Sequence, residues 1–128
     1  MDIEPNNLIP IRVLIVSDRL IDEAQKLSDY LAISGVKVIA LVNTKEQALE
    51  FCDQRIDFLI VAGYLKNRQT YKVIEEYKNR QISFIPVHWA MLDDLIAIYC
   101  NTYKISLQFE RTLPMSKFAV FLEKYRNL

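Results

Sequence analysis

Five short apolar runs alternate along the 128 residues with five segments whose apolar residues recur at helical spacing. The runs have the length of strands and are rich in β-branched residues, and they cover residues 11–16, 36–42, 57–62, 82–88 and 103–109. The helical segments cover residues 20–34, 44–54, 68–79, 90–101 and 114–126. A period that switches repeatedly between strand and helix predicts βα units, and therefore an α/β fold with a parallel sheet.

The predicted strands are apolar along most of their length, whereas a strand with one wet face alternates apolar and polar residues. Helices should therefore cover both faces of the sheet. Right-handed connections and this chain length favour a flavodoxin-like three-layer sandwich, with five parallel strands in the order 2-1-3-4-5 and five helices. We expect a flexible N-terminal arm over residues 1–10 and a single domain over residues 11–128.

Charge and composition exclude several classes of function. Lys and Arg number 16, as do Asp and Glu, so the formal net charge is zero and gives no electrostatic reason to expect nucleic acid or an anionic membrane as a partner. The apolar runs are shorter than a membrane span, and the acidic N-terminus is unlike a secretory signal, so a cytoplasmic location is predicted. Cys52 and Cys100 form no metal-binding motif and are predicted to be reduced thiols.

Short local signals predict where two of the helices begin or end. Gly35 follows the first helical segment, where a residue with positive φ commonly terminates a helix. Thr44 precedes the second, and Gln47 lies three residues further on in the spacing of a capping box. These signals place the first helix end and the second helix start independently of hydrophobic periodicity.

Five βα units opened by Val13-Leu-Ile-Val-Ser-Asp18 resemble the receiver domain of two-component response regulators. The resemblance covers about residues 11–125 and rests on architecture and spacing more than on motifs. The stretch from Thr70 to Lys78 also matches the usual third helix of that family. The resemblance implies a signalling domain that is switched when an aspartate at the end of the third strand is phosphorylated.

Most of the residues that this chemistry requires are replaced here. The phosphoacceptor position is Ala62, and no Asp or Glu occurs over residues 58–69. The acidic pair that holds magnesium in the family corresponds to Ser17 and Asp18, and the lysine that ends the fifth strand corresponds to Arg111. Alanine has no nucleophilic oxygen, and one aspartate is a poor magnesium site. We expect no phosphorylation at this position, no metal, no cofactor and no enzymatic activity.

The remaining switch residues of the family are also absent. A Ser or Thr should end the fourth strand, but none occurs over residues 84–101, and the candidates for that position run from His88 to Met91. The aromatic switch residue of the family corresponds to Gln108. The resemblance therefore implies a degenerate pocket formed by Ser17, Asp18, Ala62, His88 and Arg111, in which Arg111 pairs with Asp18.

The predicted helix over residues 90–101 has more apolar surface than its core face requires. Leu92, Leu95, Ile96 and Tyr99 form the core stripe, while Met91 and Ile98 lie on a second stripe. We predict that Met91, Ile98, Tyr103 and Phe109 form an interface, since excess apolar surface is typical of a binding face. The alternative is that Met91 and Ile98 lie at the edge of the core. Trp89, just before this helix, is predicted to be a hot spot or a lid over the pocket.

These patterns favour a non-catalytic, phosphorylation-independent interaction module in bacterial signalling. Its partner would be another signalling protein or a second copy, bound through the fourth helix, the fifth strand and the fifth helix. A small-ligand or anion sensor at Asp18 and Arg111 is the alternative, and an enzyme at this sheet edge is a third. His88, the sole histidine, is interpreted as structural more readily than as a catalytic or pH-sensing group.

Overall fold

Nine elements form the fold of the computed structural model, which describes residues 9–17, 21–62, 69–90, 105, 107–110 and 112–126. The strands are β1 Arg12–Val16, β2 Lys37–Val42, β3 Phe58–Ala62, β4 Ile85–Ala90 and β5 Leu107–Glu110. The described helices are α1 Ile21–Ile33, α2 Lys45–Leu49, α3 Gln69–Asn79 and α4 Met115–Tyr125. None of them is long and apolar enough to cross a membrane.

The five strands form one sheet in the order β2-β1-β3-β4-β5, and every neighbouring pair is parallel. This is the predicted flavodoxin-like topology, which is therefore confirmed. The register of β1 against β2 shifts between Val13 and Leu14. Because all strands run the same way, residues 17, 62, 90 and 110 mark a common carboxyl edge.

Alternate residues of each strand supply two separate apolar layers. On one face Ile15, Ile60 and Val87 pack with α1 and α4. On the other face Leu14, Leu59 and Val61 pack with α2 and α3. Strands buried on both faces explain why the sequence shows continuous apolar runs in place of alternation.

Both predicted local helix signals are confirmed. Gly35 has φ +93°, and the N–H groups of Gly35 and Val36 donate to the carbonyls of Ala32 and Leu31, which closes α1 with a Schellman motif. At the start of α2, Thr44 Oγ1 accepts a hydrogen bond from the Gln47 N–H at 3.1 Å. The Gln47 side chain in turn accepts from the N–H of residue 43 at 2.9 Å, which completes a variant of the capping box.

The fourth strand differs from its predicted span of 82–88, because it begins three residues later and ends two residues later. Gln81 adopts φ 60° after α3, and the Ile82 N–H donates to the Tyr77 carbonyl at 3.0 Å. The chain from 80 to 82 therefore terminates the helix with a second Schellman motif that contains no glycine. Because it contains no glycine, this turn has no recognisable signal in the sequence.

The sequence predicts a helix over residues 90–101, directly after the fourth strand. Ala90 instead ends β4, and the rest of that predicted helix lies outside the described residues. The fifth strand was predicted over residues 103–109, whereas β5 runs from Leu107 to Glu110, after the buried, irregular Ile105. The second helix is also shorter than predicted, since turns with hydrogen bonds to the third residue back follow Leu49. The proposed arm boundary at residue 10 stays a prediction.

Candidate functional site

The carboxyl edge of the sheet is the place where open parallel α/β folds bind ligands. The structure describes Ser17, Ala62 and His88 of the predicted pocket, and each of them is fully buried. Asp18 and Arg111, and with them the predicted ion pair, lie outside the described residues. The site is therefore built from the ends of β1, β3, β4 and β5.

One cross-strand row dominates this edge and consists of Ala62, Trp89 and Phe109. Ala62 is the register partner of Trp89, and Trp89 is the register partner of Phe109 on the next strand. All three face the layer of α1 and α4, and Trp89 is only 1% exposed. The row continues into α4, where the ring of Phe118 lies 4.8 Å from that of Phe109 between centroids.

Three of the four candidate positions from His88 to Met91 lie on β4, which ends at Ala90. Trp89 is the one of them that lies directly opposite Ala62 in the register of β3 and β4. Trp89 is part of β4 and among the largest fully buried side chains, so the expectation that it forms a hot spot or a lid does not fit the structure. The smallest side chain of the row thus lies beside the largest, as dense core packing requires.

His88 and Ser17 are the buried polar residues at this edge. His88 is paired in register with Val61 and Gln108 and precedes Trp89, so strand alternation directs it to the layer of α2 and α3. Ala62 faces the opposite layer, and the two therefore do not share one pocket, which corrects the predicted grouping. Ser17 extends the β1 ladder, donating its N–H to the Val42 carbonyl at 2.9 Å.

The apolar row at this edge carries none of the groups that phosphoryl transfer needs. Ala62 and its neighbours Trp89 and Phe109 offer no nucleophile and no carboxylate. Glu110 ends β5 and accepts a hydrogen bond from Thr112 Oγ1 at 3.0 Å. Within the described ranges no three His, Cys, Asp or Glu side chains are placed to hold a metal ion.

The predicted interface is represented in the described residues by Phe109 alone. Phe109 is 7% exposed, and its ring contacts those of Phe118 and Phe121, the latter at 5.2 Å between centroids. It is a core residue in its own domain, so it does not extend an exposed apolar surface. Met91, Ile98 and Tyr103 lie outside the described residues, and their role stays a prediction.

A polar network that the sequence analysis missed lies at the opposite, amino end of the sheet. The Arg12 N–H donates to Asp57 Oδ2 at 2.9 Å, and the Asp57 N–H donates to the Arg12 carbonyl at 2.8 Å. The Arg12 guanidinium donates to the Arg55 carbonyl and to Gln54 Oε1. Asp57 at the start of the third apolar run, with Arg12 inside the first, was the available signal.

A second polar group is buried between α2 and α3. The Tyr77 hydroxyl donates to the Ala48 carbonyl at 2.6 Å, and burial, with a smaller contribution from Cys52, raises the pKa of Tyr77 to about 12. Arg80 donates to Glu76 at 3.2 Å and to Cys52 Sγ at 3.4 Å, and these hydrogen bonds raise its pKa. The buried Tyr77 hydroxyl therefore has a hydrogen-bond partner. The indole Nε1 of Trp89, by contrast, has no hydrogen-bond partner among the described residues.

Comparison with known proteins places the fold but not a sequence family. No protein-family model matches the chain, and no curated protein matches it. Solved structures match well: a CheY-like response regulator receiver domain protein from Methanospirillum hungatei JF-1 has TM-score 0.75 at 11% identity, covering 93% of this chain and 95% of that one.

Two further solved structures agree. FixJ-N has TM-score 0.76 at 16% identity, with 94% of this chain and 98% of that chain covered. A two-component response regulator from Clostridium difficile has TM-score 0.73 at 14% identity, with 92% and 99% covered. The chain therefore has the receiver-domain fold over nearly its whole length. Identities this low show the fold alone.

Proposed function

We propose that this chain is a non-catalytic, receiver-like signalling module that works without phosphorylation, through protein–protein contacts. The observation that supports it is the apolar row of Ala62, Trp89 and Phe109 at the edge where a receiver would carry its phosphoryl group. A receiver fold that retains its topology but fills this edge with core residues has no place for phosphotransfer. Recognition surfaces then remain as its means of signalling.

The packing of this row argues against a simple loss of the nucleophile. An empty phosphorylation site would need only one substitution, of aspartate by alanine. Here the opposite strand also carries Trp89, which is fully buried and belongs to the same core cluster as Ala62. A phosphoryl group with its magnesium requires water and oxygen ligands, and a close-packed aromatic core supplies neither.

The proposal places the module in the cytoplasm of a bacterium, where receiver-like domains take part in two-component signalling. Its net charge of zero supports a protein partner over a nucleic acid, since a neutral chain gains little from neutralising phosphates. The partner is another signalling protein or a second copy of this chain.

Intact-mass spectrometry tests the proposal. The protein is incubated with acetyl phosphate and Mg²⁺ beside a receiver domain that has its phosphoacceptor aspartate. We expect the control to gain one phosphoryl group and this chain to keep its mass. A phosphoryl group on an aspartate of this chain contradicts the proposal, whichever aspartate carries it.

A small-ligand or anion sensor at the same edge is the second candidate. The buried Nε1 of Trp89, for which the described residues provide no acceptor, favours it, because a buried donor is normally paired. A thermal-shift panel of anions and nucleotides separates the two candidates. Stabilisation that is lost in Trp89→Phe supports the sensor, and an unchanged melting temperature across the panel supports the interaction module.

A further inference from the structure

Two exposed apolar side chains line a groove on the α1 and α4 side of the molecule, and a third directly precedes the turn that lines it. Ile33, at the end of α1, is 84% exposed, Val120 on α4 is 70% exposed, and Ile9 is 46% exposed. Ile9 and Val120 line a groove of about 450 Å³, together with Ser34 and Gly35 from the turn that follows Ile33. Single exposed apolar residues are ordinary, but a group of them at and beside one groove is typical of a contact surface.

The charges beside this groove are unequal on the two helices. α1 carries Asp22, Glu23 and Asp29 against a single lysine, a net charge of −2. On α4, Glu123 is paired with Arg126 at 3.0 Å, which leaves its two exposed lysines uncompensated: Lys117 and Lys124.

None of the exposed carboxylates of α1 or lysines of α4 takes part in an ion pair among the described residues. The three described ion pairs involve Arg55, Arg80 and Arg126. An acidic helix and a basic helix therefore lie next to one another on one face, each with charge to offer to a partner. A surface whose two halves are of opposite sign is complementary to itself.

The directions of the two helices allow these opposite charges to meet in a dimer with twofold symmetry. α1 connects β1 to β2 and therefore runs back from the carboxyl edge of the sheet to the amino edge. α4 begins just after the carboxyl end of β5, and Arg126 at its end donates to the Ile9 carbonyl before β1, so α4 runs in the same direction. A twofold axis along the two helices places α1 of each copy over α4 of the other and keeps them parallel. Because the turn after α1 and Val120 line the same groove, Ile33 of each copy comes level with the groove of the other.

We infer that the partner at this surface is a second copy of the chain, held in a twofold dimer by reciprocal α1 to α4 contacts. The inference rests on the proposed function, for which it names one partner. In this dimer the contact is formed by α1 and α4, and not by the interface predicted around Met91 and Ile98.

The dimension of the surface sets the expected affinity. Helices of 13 and 11 residues side by side present roughly 20 Å by 20 Å, or about 400 Å² on each copy. This is below the area of a standard stable interface. The dimer should therefore be weak and reversible, and the uncompensated charges should make its association sensitive to ionic strength.

Charge reversal on either helix should break the dimer, and combining the two variants should restore it. The first variant is Asp22→Lys with Asp29→Lys, and the second is Lys117→Glu with Lys124→Glu. Each variant alone places like charges on both halves of its surface. A mixture pairs a basic α1 with an acidic α4 at one contact and keeps the native pairing at the other.

Sedimentation velocity across the micromolar range, at low and high salt, is the measurement. We expect a concentration-dependent dimer in the wild type, at least tenfold weaker association in each variant alone, and a recovered dimer in the mixture. Val120→Asp, at an exposed position, should also give a folded monomer. Lys72→Glu, on an exposed site of α3 on the other side of the sheet, is the matched control and should leave association unchanged.

A wild type that is monomeric at high micromolar concentration, or a mixture that stays monomeric, overturns the inference. Dimerisation that survives all three surface variants overturns it as well, since the contact then lies elsewhere. Phosphorylation in the intact-mass experiment would overturn the proposed function independently. If the chain is monomeric and is not phosphorylated, only the dimer is overturned and the proposed function stands.

Discussion

The two ends of the sheet use the same strands in opposite ways. At the amino end, Asp57 accepts from the backbone of Arg12 and lies 3.8 Å from the Arg55 guanidinium, so the polar groups satisfy one another. At the carboxyl end, Ala62 and Trp89 belong to an apolar row. Ligands of parallel α/β folds bind at the carboxyl end, so the end expected to carry chemistry is the one packed as core.

The difference shows that a fold and its site can change independently. The apolar layers that hold the sheet need residues such as Ile15 and Ile60, which are present. A phosphorylation site with its magnesium ion needs oxygen ligands at the strand ends, and Ala62 with Trp89 supplies none. Ala62 and Trp89 extend the core by one row at this edge, within the same topology.

Ala62→Asp should have the largest effect on this contrast. A carboxylate placed beside Trp89 and Phe109 is buried without a described partner, and the loss should be about 3 kcal/mol or more in free energy of unfolding. Burial raises the pKa of this acid in the folded state above its unfolded value. The loss is therefore greatest above the folded pKa and shrinks as the pH falls towards the unfolded value of about 4.

Urea unfolding between acidic and neutral pH measures this effect. Asn has nearly the same shape as Asp but does not titrate. The free energy of unfolding that Ala62→Asn loses relative to the wild type should therefore be the same at every pH. An Ala62→Asp protein as stable as the wild type at neutral pH would mean that the carboxyl edge is open to water.

Asp57→Ala tests the polar end and should cost about 1–2 kcal/mol, because it leaves the half-buried Arg12 N–H without its acceptor. Asp57→Asn keeps an acceptor oxygen and should cost less than half as much. Denaturant unfolding of both variants decides the point. Equal losses would assign the effect to the charge and not to the hydrogen bond.

Tyr77→Phe measures the contribution of a buried hydroxyl that has a hydrogen-bond partner. It should lower the free energy of unfolding by about 1 kcal/mol, because the hydrogen bond to the Ala48 carbonyl is lost. The pKa of Tyr77 is raised from 10.0 to about 12, so wild-type stability should be fully present below pH 10 and fall between pH 10 and about 12. Thermal unfolding against pH measures the slope. The variant should lose that part of the slope, and parallel curves would contradict the assignment.

Arg55→Ala should have the smallest effect, about 0.5 kcal/mol or less. Its side chain is half exposed and its contact to Asp57 is long at 3.8 Å, and such surface ion pairs contribute little. A loss as large as that of Asp57→Ala, measured by the same unfolding experiment, would show that the Arg55 side chain, through its ion pair or its hydrogen bond to the Pro10 carbonyl, stabilises the amino end as much as Asp57 does.

The topology was predictable because it depends on patterns that repeat along the chain. Five apolar runs, Gly35 and the Thr44–Gln47 spacing each act locally, and the structure has five strands in the predicted order and both helix signals, although the fourth and fifth strands have other bounds. The start of β4 was not predictable from such patterns. Gln81 carries the left-handed turn that ends α3, and a glutamine gives no signal for positive φ.

The candidate site was predictable only in part. That Ala62 ends β3 follows from the apolar run, but its neighbour depends on the register between strands, which was ambiguous around Pro86. Once the register is known, Trp89 lies beside Ala62 and His88 faces the other layer. The burial of Phe109 likewise depends on rings from α4, distant in sequence, and so could not be read from its own segment.

Amide chemical shifts measured with Mg²⁺ and beryllofluoride, a phosphoryl mimic, test the central claim most directly. The amides of Ser17, Ala62 and Trp89 lie at the edge where a receiver would bind that mimic, and the Trp89 indole N–H reports on the row itself. If the edge is core, these resonances stay unshifted up to high concentrations of the mimic. Saturable shifts centred on Ala62 and Trp89 would show that the edge still binds a phosphoryl group, and would contradict the account.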